Sequence, residues 1–392
     1  MVRRQPGPPP AYRRDRVTWV AFAALLGFGL LNAVLGPVLP YLRAAEHISY
    51  VVSALHQVAF ALGGLTAGVL AIRSAAPRRR TIALGLTGAA AAGVLLGYGR
   101  VFPATIVAAF LISACGTAAL IRVWALLADR HGARRAVAMT EGEVAVSLAG
   151  VVTPALVSAC AATALSWRFA SVITAGAVLA GALAVAGTRL PEERRTSGAG
   201  EARPPAHPAA RTLTTIFAVV GLEFTLSFWA ASYLHDEVGI DRNISVALVS
   251  SLYAANLVGR MVASRVTRRR PEDVVLRIFL ATAFAGVPVL LAAGNAAVAG
   301  AGLVVTGIGI GGTFPLAAAI HVGASRLSAD QALGQILAIA GIGQITGPLA
   351  AGALAQVEGL RVGLLVLPAL VLFAAATTRR ARAGLLPGSN FL

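Results

Sequence analysis

Lysine is absent from this 392-residue chain, cysteine occurs twice, and charged residues make up 12% of it, against about 25% in an ordinary soluble domain. Each shortage excludes something. The two cysteines, Cys115 and Cys160, both lie in apolar runs, so neither a disulfide framework nor a thiolate metal site is expected. The sequence has no Cys or His cluster, no phosphate-binding glycine loop and no dinucleotide fingerprint, and therefore no ATPase or cofactor domain is expected. No nucleophile and base stand at a recognisable spacing, which argues against an enzyme. Neither a metal nor a cofactor is expected.

What remains is apolar: 57% of residues are hydrophobic. Runs of 18 or more apolar residues recur along nearly the whole length, each able to cross a hydrocarbon core about 30 Å thick. Twelve are counted, rich in Ala, Gly, Leu and Val and too long for barrel strands, so all should be α-helical. The fold class read from this pattern is an all-α integral membrane protein with twelve transmembrane helices.

The formal charge of +17 comes from 33 arginines against 16 acidic residues. Of those arginines, 27 fall on the side of the N-terminus, five on the other side, and one, Arg122, within a helix. This positive-inside bias places both termini in the cytoplasm of a multi-pass protein of the cell inner (plasma) membrane. Topology accounts for the basic charge, so no nucleic acid is expected as a partner. Arg3 and Arg4 precede an apolar run longer than a signal-peptide core, without a small-x-small cleavage site, which makes that run an uncleaved first helix.

The longest interior polar segment separates the helices six and six. The expected organisation is a cytoplasmic tail over 1–16, a six-helix bundle over 17–188, a linker over 189–211, a second bundle over 212–378 and a tail over 379–392. The halves share signals six helices apart. "GVLAIRSAAPRRR" follows helix 2 and "GRMVASRVTRRRP" follows helix 8; "GVVTP" lies in helix 5 and "GQITGP" in helix 11. Same-orientation repeats at this spacing fit two bundles related by an axis along the membrane normal.

These paired loops, with "LGPVLPYL" ending helix 1, "ADRHGARRAVAM" between helices 4 and 5 and "GIGQITGPLAAG" in helix 11, resemble the major facilitator superfamily over essentially the full length. The resemblance implies two pseudo-symmetric six-helix bundles, with helices 1, 4, 7 and 10 lining a central cavity. It also implies gating loops at Gly68 and Arg73 and, more loosely, at Gly259, Arg260 and Arg265; where the family carries an acidic residue, this chain has Ile72. The family's antiporter run of glycine and proline has its full spacing at Gly343, Gly347, Pro348 and Gly352, while helix 5 retains Pro154. Small residues four apart equally serve tight helix packing.

Ionisable groups at membrane depth cost about 2.5–3.5 kcal/mol each on insertion scales and so mark function. Here they are Arg122, Glu141, Glu143, Glu223 and, at lower cost, His56. Arg122 is expected to pair with one of Glu141 and Glu143, because residues two apart on a helix point about 200° away from each other. The other carboxylate, with Glu223, is left to carry protons or a cationic group. A longer helix 4–5 loop would instead leave both glutamates solvated at the interface, and Glu223 could be a neutral structural acid. Polar residues at similar depth are the cavity-lining candidates: Asn32, Gln57, Ser227, Trp229, Tyr253, Asn256, Thr313 and Gln344.

The function expected is secondary active transport of a small organic molecule by alternating access, as proton-coupled efflux. A proton symporter importing a polar metabolite and a non-transporting sensor remain alternatives. The partners are a small-molecule substrate, protons and the lipid bilayer, with the chain a monomer.

Overall fold

The computed structural model describes residues 13–73, 76–132, 135–191, 208–267, 269–325 and 329–379. No strand occurs among them. Fifteen helices make twelve spans, as expected. In the first half they are α1 (Arg16–Asn32), α2 (Leu35–Glu46), α3 (Tyr50–Arg73), α4 (Arg78–Tyr98), α5 (Phe102–His131), α6 (Arg135–Ala161) and α7 (Arg168–Ala186). In the second half they are α8 (Pro208–Asp236), α9 (Arg242–Val266), α10 (Glu272–Leu291), α11 (Ala296–Gly311), α12 (Thr313–Ala324), α13 (Ala329–Glu358), α14 (Leu360–Gly363) and α15 (Val366–Arg379). An even number of crossings leaves the start of α1 and the end of α15 on one side, called here the tail face; the other is the far face.

Three spans are broken, and proline chemistry says where. A proline has no N–H to give and its ring clashes with the carbonyl four residues earlier. Four residues before Pro37, Pro315 and Pro368 stand Ala33, Gly311 and Leu364, where α1 gives way to α2, α11 to α12 and α14 to α15. Pro154 and Pro348 sit inside α6 and α13 without ending them. Polar caps secure other ends: Asp15 accepts from Thr18 N at 2.9 Å, Asp241 from Asn243 N at 2.8 Å and Asn295 from Val298 N at 3.0 Å, each satisfying an amide the helix itself leaves open.

Between helices, glycine permits close approach. A Cβ on Gly343 would run into the Phe217 carbonyl, one on Gly347 would lie 2.7 Å from the Gly221 carbonyl, and one on Gly259 would meet the Ile308 carbonyl. The Gly-Pro run of α13 therefore seats that helix on α8. Gly259, expected in a gating loop, lies within α9, where it packs on α11.

The two halves meet mainly along α6 on α9, α3 on α13 and α2 on α8, with α2 also touching α9. Replacing Gly343 by Ala should overpack the α8–α13 contact and cost about 1–3 kcal/mol, read as a lowered unfolding midpoint in detergent. Gly341, with open space around it, is the control whose replacement by Ala leaves the midpoint in place.

Candidate functional site

On the α6–α9 seam the helices run antiparallel, and three facing pairs mark their register. Ser158 donates to the Asn243 carbonyl at 2.8 Å near the far face, Gly150 lies under the Tyr253 ring, and Glu143 faces Arg260 toward the tail face. Arg260 stands six residues from the end of α9, about 9 Å of helix. It was grouped with gating loops on sequence grounds; its position corrects that to a charge inside the span.

Around it lies a cluster drawn from both halves. Arg260 Nη1 is 3.5 Å from Glu143 Oε2, and Nη2 is 3.5 Å from Glu223 Oε1. Asn256, one turn earlier on α9, donates to Glu223 Oε1 at 3.1 Å. Tyr253, a further turn back, stands beside Ser227 of α8. Glu143 is the open member, its side chain 53% exposed against 20% for Glu223. With all three groups ionised, one guanidinium serves two carboxylates and the cluster holds one excess negative charge.

Arg122 is expected to pair with one of the two helix 5 glutamates, and each glutamate is also reached by an arginine from another part of the chain. Glu141 takes Arg14 in a two-pronged contact, Nε to Oε2 at 2.9 Å and Nη2 to Oε1 at 2.5 Å. Beside it Arg130 reaches Asp15, and the two pairs fasten the start of α1 to the tail-face ends of α5 and α6. Glu143 takes Arg260. The helix 4–5 connection is short, with α5 running to His131 and α6 starting at Arg135, so a long loop does not explain the glutamates. Arg122 lines a groove with Thr66 and Thr81.

Other candidates scatter. His56 is fully buried inside the first half, its Nε2 2.9 Å from Thr105 Oγ1, and Thr105 in turn is 3.2 Å from Glu46. Gln57 is buried beside it. Asn32 is exposed at the break that ends α1, and Gln344 is half-buried on α13. Two cavity candidates are packing residues instead. Trp229 is fully buried and donates its indole N–H to the Pro348 carbonyl at 3.0 Å, and Thr313, equally buried, spends its hydroxyl on the Ile310 carbonyl at 2.7 Å. Gly68 stands in open space, Arg265 donates to Met261 O of its own helix, and the side chain of Arg73 lies outside the described residues. Pro154 is buried within α6, and Gly352 packs against Ala54 and Trp229 across the α3–α13 seam.

A second constellation at the far face was missed. Arg43 Nη1 meets Asp236 Oδ2 at 2.5 Å, and Tyr50 donates to the same oxygen at 3.0 Å while the Arg43 guanidinium sits 4.0 Å over its ring. The Tyr50 amide donates to Gln356 Oε1 at 3.2 Å, and Tyr41 donates to Asn243 Oδ1 at 2.5 Å. Each of these polar bridges joins one half to the other. The available signal was Arg43 itself, one of five arginines on the sparsely charged side.

Two broken-helix bundles, joined through α6–α9 and α3–α13 and locked at one face, were compared with known proteins. A sequence profile of the Major Facilitator Superfamily matches residues 17–330. The chain belongs to that superfamily. No curated protein sequence matches it significantly. Among solved structures it is similar to a bacterial homolog of the human lysosomal transporter Spinster in an inward-facing, unoccupied conformation, with TM-score 0.76 at 16% identity, covering 94% of this chain and 97% of that one. A point mutant of the nucleoside transporter NupG follows with TM-score 0.74 at 11% identity over 94% and 99%. The human organic anion transporter MFSD10 gives 0.63 at 18% over 94% and 100%. At these identities the likeness is one of fold. Family and fold together make the chain a multi-pass membrane transporter.

The far-face bridges tie the two halves together on that side, so loss of one is expected to favour arrangements in which the halves stand further apart there. Exposed or half-buried ion pairs contribute about 1 kcal/mol or less, at most about a fivefold population shift. Spin labels at Ala45 and Ile244, one per half at the far face, should show a longer-distance population in Asp236→Asn that the parent lacks. An unchanged distance distribution removes the lock from these residues.

Proposed function

We propose that this transporter is a proton-coupled secondary active exporter of a small organic molecule, with Glu143, Arg260 and Glu223 as the coupling unit. One observation carries the reading: a single guanidinium is shared between carboxylates of opposite halves, at membrane depth. With the tail face taken as cytoplasmic from the arginine bias, the locked far face makes this the inward-facing arrangement.

Protonation of Glu143 removes the charge that ties α6 to α9, and Arg260 then satisfies Glu223 alone. The tail-side seam loosens at Glu143 while Asn256 and Arg260 keep Glu223 paired within the second half. Deprotonation restores the tie. Alternating access follows if the tied and untied clusters favour different faces. The excess negative charge and nearby Phe224 favour a substrate with a cationic or amphipathic character, and the neutral polar groups at Asn32 and Gln344 keep open the second reading, a symporter importing a polar metabolite.

The test is conformational first. Labels at Met139 of α6 and Val262 of α9 should move apart as the reconstituted protein is taken from mildly alkaline to mildly acidic pH. The variant Glu143→Gln should hold the acid-like distance at every pH. A parent insensitive to pH sinks the coupling. In proteoliposomes, a pH gradient should then drive ethidium movement under export and uridine movement under import, and flux of neither under any gradient favours a sensor.

A further inference from the structure

His56 of α3, Thr105 of α5 and Glu46, the last residue of α2, form a polar chain inside the first half, apart from the Glu143 cluster. His56 lies six residues into α3 and Thr105 three into α5, about 9 Å and about 5 Å of helix from the far face. Both are fully buried, while Glu46 is half-buried beside the turn that leads into α3. Gly99 backs Thr105 so closely that a Cβ there would lie 2.7 Å from the threonine methyl, which leaves the hydroxyl to the other two.

The chain is one hydrogen short. His56 Nδ1 lies 3.3 Å from the Val52 carbonyl, Nε2 is 2.9 Å from Thr105 Oγ1, and Oγ1 is 3.2 Å from both oxygens of Glu46. Each of the three links needs a hydrogen, because a carbonyl and a carboxylate only accept. A neutral imidazole brings one and the hydroxyl brings one. With Glu46 ionised, some link must set two acceptors face to face, which burial makes costly. The Phe102 carbonyl, 3.1 Å from Oγ1, competes for the hydroxyl hydrogen and deepens the shortage. One added proton completes the chain. It sits on Nε2, with the hydroxyl donating to ionised Glu46, or on Glu46, which then donates to Oγ1 while the hydroxyl donates to Nε2. The two forms interconvert when the Nε2 proton passes to Oγ1 and the hydroxyl proton passes to the carboxylate, leaving no charge on the threonine.

We propose that His56, Thr105 and Glu46 are a proton-binding site that takes one proton from the far face and holds it between imidazole and carboxylate. Nearby, Arg168 of α7 stands close to Glu46 with its own N–H groups on the Gly97 and Gly99 carbonyls at 2.8 Å, and Arg100 stands close to Arg168. Arg43, three residues before Glu46, is held by Asp236 of α8, and α13 brings Gln356 to the start of α3. The site ties the end of α2 and the first turns of α3 to α5, and the far-face bridges hang on the same two helices through Arg43 and Tyr50. Loss of the proton therefore loosens the support of those bridges. All three residues belong to one half, so the site does not rest on the coupling unit at Glu143.

The full chain, in nanodiscs, is made with histidine labelled at its ring nitrogens and glutamate at its carboxyl carbon for solid-state NMR, with His56→Asn and Glu46→Gln assigning the two signals. At neutral pH a proton is expected on His56 Nε2 or on the Glu46 carboxyl. On titration to alkaline pH both signals should move with one midpoint, as a proton belonging to the pair requires. Thr105→Val cuts the link, and the two should then titrate separately. Ionised Glu46 beside neutral His56 at neutral pH, or two separate midpoints in the parent, overturns the site. The far-face bridges read the same proton. Spin labels at Ala45 and Ile244 should show a longer-distance population at alkaline pH in the parent and not in Glu46→Gln, whose amide supplies the third hydrogen at every pH. The response should persist in a Glu143→Gln background, where the tail-side cluster no longer titrates at that position. A parent insensitive to alkaline pH, or a response that Glu143→Gln abolishes, overturns the tie to the far face.

Discussion

A charge inside a bilayer has no water to fall back on, and in this chain the partners that replace water are few. Across the α6–α9 seam a single guanidinium answers two carboxylates, and the rest of the molecule is arranged around that imbalance. The carboxylates come from different halves, so whichever one Arg260 serves more fully decides how tightly the halves are drawn together on that side. At the opposite face Asp236 is answered by both Arg43 and Tyr50. The tail side of the interface between the halves is short of positive charge while the far side is well supplied, and a structure built this way has a reason to favour one face over the other.

Backbone constraints give that imbalance something stiff to act on. Three prolines break three spans four residues ahead of themselves, because the ring collides with a carbonyl at that offset. Glycines bring helix backbones close elsewhere, which makes α8 with α13 and α9 with α11 rigid pairs within the second half. Between the halves the contacts are mainly polar and aromatic, with a few close glycine approaches such as Gly36 on the Ser227 backbone. The Gly-Pro run of α13 belongs to the rigid part: it seats α13 on α8, and its spacing by itself says nothing about direction of transport.

The number of spans and their helical class were legible in the chain because both follow from a one-dimensional count, apolar length against bilayer thickness. Glu143 and Glu223 were legible for the same reason, as charges too deep to be accidental. Their surroundings were not. Depth and loop length assign Arg122 to one of the helix 5 glutamates, but they carry no trace of Arg14 at Glu141 or Arg260 at Glu143, one delivered by the chain entering α1 and the other by the opposite half. Trp229 and Thr313 looked like cavity residues because polarity at depth can be read along a helix and the direction of a side chain cannot. The far-face lock left little trace, since Arg43, Tyr50, Asp236 and Gln356 look like ordinary span-end residues until four helices converge.

What the sequence determined alone is how many times the chain crosses the membrane, by which secondary structure, and which side chains are too costly to be there without purpose. These depend on hydrophobic length and on desolvation, both properties of a single helix in lipid. Which acid meets which base, which face is closed, and which glycines touch a neighbour depend on the lateral packing of helices far apart in sequence. Contacts at a few ångströms decide them, and only the tertiary structure brings those groups within that range.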